Sequence, residues 1–211
     1  MELTQEAWYA ALAERHGSAL QEKFQTASVC ICGLGGLGSN IAVSLARAGV
    51  GHLHLIDFDT VDVSNLNRQQ YFPDQLGIEK TAALTETLRR IAPYSRFTSE
   101  TVRLTPENIP TLLRGFPIIC EAFDKADQKA MLVNTVLETF PEAYLIAASG
   151  MAGIGSPNTI RTRRITKRFY LCGDETSDIA DGIGLFSARV AVCAAHQATT
   201  VLRILAEAFE P

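Results

Sequence analysis

Acidic, amide and basic side chains crowd the stretch IDFDTVDVSNLNRQQYF, among them Asp57, Asp59, Asn65, Arg68 and Gln69. Lys80 follows at the start of the next helical pattern. An arginine and a lysine reaching over one strand end supply charge-assisted hydrogen bonds to phosphate oxygens, and Asn65 and Gln69 add neutral donors. Separately, Arg68 and Lys80 are ordinary solvated cations. Their joint placement beside an Asn/Gln-rich turn suits a ligand with several phosphates. A further carboxylate, Asp124, follows another apolar run in CEAFDKADQK. A hard oxygen ligand there suits magnesium held on those phosphates. Asp124 or Asp127 can equally cap the helix that follows. Dividing the roles gives Asp124 to the metal and leaves Asp127 as a solvent-facing helix charge.

These groups lie downstream of a loop almost bare of side chains, VCICGLGGLGSN, with Gly33, Gly35, Gly36 and Gly38. Gly33, Gly35 and Gly38 satisfy G-x-G-x-x-G. The first glycine permits the tight turn, the second lets backbone approach phosphate, and the last lets helix pack on strand. The helix N-terminus then offers free N–H groups and partial positive charge. Asp57, 19 residues beyond Gly38, can accept hydrogen bonds from ribose hydroxyls. This pattern fits NAD and ATP alike. A hydride-transfer enzyme needs few further cations, because the glycine loop already serves the pyrophosphate of NAD. A triphosphate has more charge to balance, and Arg68 with Lys80 supplies it.

Such a site needs a sheet with helices on its faces. Ser28 to Cys32 is a short apolar strand, about Gly38 to Arg47 a helix with Gly49 near its C-terminal cap, and His52 to Asp57 a second strand. Glu79 to Pro93 predicts a helix stopped by proline, Arg96 to Val102 a strand, and Phe116 to Phe123 a segment holding another. A helix over Ala126–Thr139 and the strand AYLIAAS continue the alternation. SPNTIRTRRI and KRFYLC predict two further strands that extend the sheet in an antiparallel sense. A long helix then runs from about Leu185 to Phe209. Ahead of the first strand, Thr4 to about Phe24 predicts two short helices, broken at His16-Gly17-Ser18, with Ser18 capping the second. The fold class is therefore α/β: a mostly parallel, doubly wound sheet with helices on both faces. Residues 1–211 read as one domain, with a helical arm over 1–26, a nucleotide-binding core over 27–150, and C-terminal strands and a long helix over 151–211.

Composition sets outer bounds. The chain has 211 residues, 47% of them hydrophobic, enough for one full core. A net charge of −4 argues against a general nucleic-acid binder, although Arg161, Arg163 and Arg164 could form a local basic patch. No stretch is long and apolar enough to span a bilayer, and the N-terminus has no signal-peptide pattern, so a cytoplasmic protein without membrane contact is expected. Cys30, Cys32, Cys120 and Cys193 fall in apolar elements and suit reduced, packed thiols. No C-x-x-C pair occurs, so no zinc is expected. The four histidines form no paired catalytic constellation.

GLGGLGSN, DFDTVDVSNLNRQQ, the helix-opening Glu79-Lys80 and EAFDKAD together resemble the ThiF/MoeB family of ubiquitin-activating-type adenylyltransferases, most closely its short ThiF-like form. The resemblance spans about Gln21 to Leu205 and implies a Rossmann-like fold. It implies an enzyme that binds ATP and magnesium and receives the Gly-Gly tail of a small ubiquitin-fold sulfur carrier. The tail carboxylate attacks the α-phosphorus, giving an acyl-adenylate and pyrophosphate. For a ThiF-like enzyme the carrier is ThiS, in thiamine thiazole synthesis. On that match Asp57 holds the ribose, Asn65, Arg68, Gln69 and Lys80 face the phosphates, and Asp124 serves magnesium and the reacting centre. Relatives are commonly homodimers in which an N-terminal arginine reaches the partner's ATP. Arg15 is the candidate, and it reads equally as an exposed helix-end arginine.

Two features of the family pattern are missing or altered. The paired C-x-x-C zinc motifs are absent. Cys172, in YLCGDETSD, is the one loop-like candidate for the thiol chemistry some members perform, but the acidic stretch after it disfavours a thiolate, so it reads as a structural or incidental thiol rather than a nucleophile. Competing readings are an NAD-dependent oxidoreductase, a non-catalytic nucleotide-binding or carrier-docking module, and a related enzyme that adenylates another carrier or a carboxylate on modified tRNA.

Overall fold

The computed structural model describes residues 3–211. Helices α1 (Gln5–His16) and α2 (Ser18–Thr26) form an N-terminal hairpin. Strand β1 (Ser28–Cys32), helix α3 (Gly36–Arg47), strand β2 (His52–Asp57), helix α4 (Lys80–Ile91) and strand β3 (Arg96–Thr101) follow. A single-turn helix α5 (Ile109–Leu112), strand β4 (Ile118–Glu121), helix α6 (Ala126–Thr139) and strand β5 (Tyr144–Ala148) continue the alternation. Strands β6 (Arg161–Arg164) and β7 (Phe169–Gly173) precede the long helix α7 (Ser187–Leu205). Among the described residues no helix is long and apolar enough to cross a membrane.

The strands form one sheet in the order β3-β2-β1-β4-β5-β7-β6. Every pairing is parallel except β6 against β7. The C-terminal extension is thus a hairpin whose inner strand, β7, runs parallel to β5 and whose outer strand alone is antiparallel.

Side chains alternate across this sheet with the two-residue period of a strand. Val29 and Ile31 of β1, Leu53 and Leu55 of β2, and Ile146 of β5 face a core shared with α3, α4 and α7. Cys30, Cys32, Ile119 and Leu145 face the opposite core, built with Ile109, Leu132 and Val136. Both faces are apolar because both are covered, which explains why the central strands read as unbroken hydrophobic runs.

The helical arm departs from expectation at one point. Ser18 does not cap α2. It is the first helical residue, and Gly17, with φ +84°, occupies the cap without any side-chain bond. The reversal needs that left-handed backbone, so the glycine rather than the serine sets the break. The hairpin sits against the end of α3: Gln21 Nε2 donates to the Gly49 carbonyl and the Gly51 N–H to the Phe24 carbonyl. Trp8 packs against the larger core of its own chain.

Candidate nucleotide-binding site

Strand β1 lies between β2 and β4, and the chain leaves β1 for one face and β4 for the other, because α3 and α6 pack on opposite cores. The crevice at the carboxyl ends of such diverging strands is where open α/β sheets hold ligands. A cleft of about 530 Å³ opens there. Gly33, Gly35, Gly36, Asp57, Asp59, Asn65, Arg68, Gln69, Lys80 and Asp124 all line it.

Gly38 and Arg15 do not line it. Gly38 lies inside α3, where a Cβ would sit 1.8 Å from the Gly33 carbonyl oxygen. Its role here is close packing of helix on turn. Arg15 is exposed on α1, at the amino-terminal edge of the strands and away from the cleft. Helix α3 begins at Gly36 with Gly35 as its cap, two residues earlier than its sequence pattern predicts, so its first turn is itself glycine-rich and points free N–H groups at the cleft.

Asp57 fixes that turn. Its Oδ2 accepts from the Leu34 N–H at 2.6 Å and its Oδ1 from the Asp59 N–H at 2.8 Å. The Tyr71 hydroxyl donates to the Leu34 carbonyl at 2.8 Å, so the loop is held from both sides. Burial pushes the Asp57 carboxyl above its ordinary range, against the backbone donors and Lys80, which pull the other way. Each carboxylate oxygen keeps a lone pair for a further donor such as a ribose hydroxyl.

The cations are held in different ways. Lys80 is buried and its Nζ lies 3.0 Å from Asp59 Oδ2, a carboxylate that is half exposed. Arg68 donates through Nη1 to the Ser64 carbonyl at 3.0 Å and to Asn67 Oδ1 at 2.8 Å, so its guanidinium folds onto its own turn. Its stem passes over Gly36, 3.5 Å from where a Cβ would stand. Asn65 closes a capping box by accepting from the Asp62 N–H at 3.0 Å. Gln69 is buried, and among the described residues its Oε1 has no hydrogen-bond partner, an acceptor left open beside the cleft.

Asp124 is exposed just beyond β4, and it does not cap α6: the cap is Lys125, with no side-chain bond. Hydrogen bonds from Gln128 hold the exposed Asp127 carboxyl below its ordinary range. What positions the turn escaped the sequence reading. Glu121, fully buried at the end of β4, accepts from the Phe123 N–H at 2.7 Å and pairs with Lys129 of α6 at 3.0 Å. Lys129 also donates to the Phe123 carbonyl at 2.8 Å. The available signal was a glutamate ending an apolar strand with a lysine eight residues later, in the first turn of the next helix, a combination that demands a partner inside a core.

Facing the cationic wall, Ser149, Gly150, Met151 and Ala152 after β5 and Ser177, Asp178 and Ile179 after β7 form a wall without cations. Arg189 of α7, also missed, lies behind it, with Asp174 2.5 Å away. Burial pushes the Asp174 carboxyl up, but the Ser177 and Thr176 N–H groups, the Ser177 hydroxyl and Arg189 outweigh it and hold the group well below the usual range. A buried arginine read in isolation looks like one more surface cation, and only the fold brings 15 residues of separation into contact.

Cys172 is the structural thiol the sequence favours, and only its loop-like placement is corrected. It lies within β7 rather than in a loop, is fully buried, and burial pushes its thiol up to about 11. It has neither the exposure nor the electropositive surroundings of a nucleophile. The other four cysteines are buried and free. Among the described residues no group of three or more His, Cys, Asp or Glu side chains could hold a metal ion.

The sequence and the coordinates agree with known proteins on what this architecture is. The ThiF family profile matches residues 9–211. The chain is 31% identical over 167 residues to the tRNA threonylcarbamoyladenosine dehydratase of Escherichia coli K12, covering 77% of this chain and 62% of that protein. It is also 31% identical over 197 residues to the molybdopterin-synthase adenylyltransferase of Salmonella typhimurium LT2, covering 90% and 78%. The crystal structure of the E. coli dehydratase in complex with ATP superposes with a TM-score of 0.86 at 23% identity, over 98% of each chain. That likeness shows a shared Rossmann-like fold. With nearly the whole chain matched, the protein belongs to the ThiF family.

Proposed function

We propose that this chain is an ATP-dependent adenylyltransferase that activates the C-terminal Gly-Gly carboxylate of a ubiquitin-fold sulfur carrier, ThiS-like and serving thiamine thiazole synthesis. One observation carries the reading: Arg68, Lys80 and Asp124 line the same cleft as the bare N-terminus of α3. The family adds support, since relatives include an adenylyltransferase and a protein crystallised with ATP.

In this reading the glycine turn and the α3 N-terminus receive phosphate oxygens. Lys80 and Arg68 neutralise the triphosphate, turning from Asp59 and Ser64 toward it, and Gln69 and Asn65 supply neutral contacts. Asp57 and Asp59 accept from the ribose. Asp124, exposed at the rim, fits magnesium, which binds through one or two carboxylates plus phosphate and water oxygens. When bound, that ion would neutralise phosphate charge. The tail carboxylate is ionised at neutral pH and needs no base. One of its oxygens forms a bond to the α-phosphorus as the α–β anhydride bond breaks, and pyrophosphate leaves with that electron pair. Alignment and charge balance are the whole task. Arg15 contributes only in a homodimer, because within one chain it sits at the far edge of the sheet.

The chain's net charge of −4 favours a carrier over a tRNA carboxylate, and in the basic hairpin Arg163, Arg164 and Arg168 have Glu175, Glu210 and Glu142 beside them to offset their charge. The test incubates the protein with ATP, magnesium and, in separate arms, a ThiS-type carrier, other Gly-Gly carriers, and threonylcarbamoyladenosine-modified tRNA. An AMP adduct on the ThiS-type carrier, seen by mass spectrometry, is expected. Adduct only on another carrier reassigns the partner, turnover only of tRNA reassigns the substrate class, and no pyrophosphate exchange in any arm removes the adenylation reading.

A further inference from the structure

Arg189 spends all five of its N–H donors inside the protein. Nε donates to the Ala152 carbonyl at 3.1 Å, Nη1 to the Gly155 and Ser156 carbonyls at 2.8 and 2.7 Å, and Nη2 to Thr159 Oγ1 at 3.0 Å and Asp174 Oδ2 at 2.5 Å. Its charge is cancelled by Asp174 and its donors are exhausted, so it offers the cleft shape rather than charge. What it shapes is specific. Its acceptors come from two segments that leave the sheet separately, 152–159 after β5 and Asp174 after β7.

The two segments are joined further from the same carboxylate. Asp174 Oδ1 accepts from the Thr176 and Ser177 N–H groups at 2.9 and 2.8 Å and from the Ser177 hydroxyl at 3.0 Å. The Ser177 oxygen in turn accepts from the Ala152 N–H at 3.0 Å. Gly150 passes so close that a Cβ there would lie 2.1 Å from Asp174 Oδ1. Arg189, Asp174 and Ser177 thus weld Gly150 to Ala152 onto the turn after β7, and both pieces line the cleft.

In the adenylation reading, on which this inference rests, the cationic wall is taken by the polyphosphate. The attacking carboxylate then arrives along the remaining side, where backbone is bare at Gly150. We propose that Arg189 is a positioning residue for the acceptor substrate: it fixes the wall along which a carboxylate-ending, glycine-rich tail lies, while leaving the nucleotide subsite untouched. Among the described residues no hydrogen bond of Arg189, Asp174 or Ser177 reaches the turn at 33–38, which Asp57 and Tyr71 hold; the one neighbour α7 sends there is Val190, which lies over Gly36.

The test uses the full chain and two variants. Arg189→Lys keeps a charge opposite Asp174 but cannot fan out to five acceptors. The expected result is a KM for a Gly-Gly carrier raised about ten-fold with ATP affinity within about two-fold of wild type. Backbone amides of 150–153 and 176–179 should lose hydrogen-exchange protection while those of 34–37 keep it. Ser177→Ala removes one link and keeps the arginine, which protects the test if Arg189→Lys fails to fold. It should raise the carrier KM about three-fold with a nearly unchanged melting temperature. An unchanged carrier KM in the folded variants, a parallel loss of ATP affinity, or full protection at 150–153 in both overturns the proposal. If the wild-type protein adenylates nothing, the adenylation reading fails, and the exchange pattern alone still decides whether the clamp holds this wall.

Discussion

Lys129 Nζ lies 3.0 Å from both carboxylate oxygens of Glu121, and Glu121 is fully buried. The pair ties the end of β4 to α6 and bounds the turn that presents Asp124. A buried charge whose partner is removed cannot return to water, so the cost of breaking the pair exceeds the pair's own net worth.

Lys129→Met should therefore lower stability by about 3–5 kcal/mol, a fall in melting temperature of roughly 10 °C for a chain of this size. The double variant Glu121→Gln with Lys129→Met, which leaves no lone ion, should recover part of that loss. Thermal or urea melts read both. A single variant as stable as wild type would show that the carboxylate is solvated or protonated in the folded protein.

Lys80→Ala and Arg68→Ala should each cut ATP–pyrophosphate exchange by about 100-fold or more while far-ultraviolet circular dichroism stays unchanged. Asp59, the partner Lys80 leaves behind, is half exposed and remains hydrated. Exchange near the wild-type rate in either variant refutes the phosphate-binding role of that residue.

Two glycines of the loop should respond oppositely to alanine. At Gly38 a Cβ would meet the Gly33 carbonyl oxygen at 1.8 Å, so Gly38→Ala should destabilise the fold. At Gly35 the nearest atom is Gln69 Nε2 at 3.8 Å, so Gly35→Ala should fold with wild-type stability and lose ATP affinity, because the methyl group occupies the space the phosphate needs. Melting temperature and ATP titration, measured side by side, separate the two.

Stability should fall as pH drops below 6.5. Burial lowers the pKa of both His52 and His54. Thr98 Oγ1 lies 2.8 Å from each ring, and His54 stacks on Phe116. The unfolded chain then binds protons that the folded chain refuses, so stability is complete above the unfolded value of 6.5 and declines as pH falls toward the lowered folded values. The urea midpoint between pH 8 and 5 measures this. A His52→Gln, His54→Gln variant with an unchanged pH profile would assign the loss to other groups.

The thiols should be silent. All five are buried, and burial pushes Cys172 up to about 11 and Cys193 up to about 12. Ellman's reagent should label none in the native protein at pH 8 and all five after denaturation, and Cys172→Ala should retain adenylation. Rapid native labelling or loss of turnover would return Cys172 to the chemistry.

The sequence by itself determined the α/β alternation, the glycine turn and the cluster from Asp57 to Lys80, because each rests on near neighbours along the chain. Hydrophobic runs mark covered strands, and glycine marks a turn whatever surrounds it. It overextended α7 to Phe209, where the helix ends at Leu205, and it gave Cys172 a loop-like place although the strand it predicts at KRFYLC already contains it. Only the tertiary structure decided which charges are spent and which are free. Glu121 with Lys129, Lys80 with Asp59, and Arg189 with Asp174 are pairs whose members lie 8, 21 and 15 residues apart. An ion's worth depends on its burial and its partner, and neither is a property of the residue that carries it.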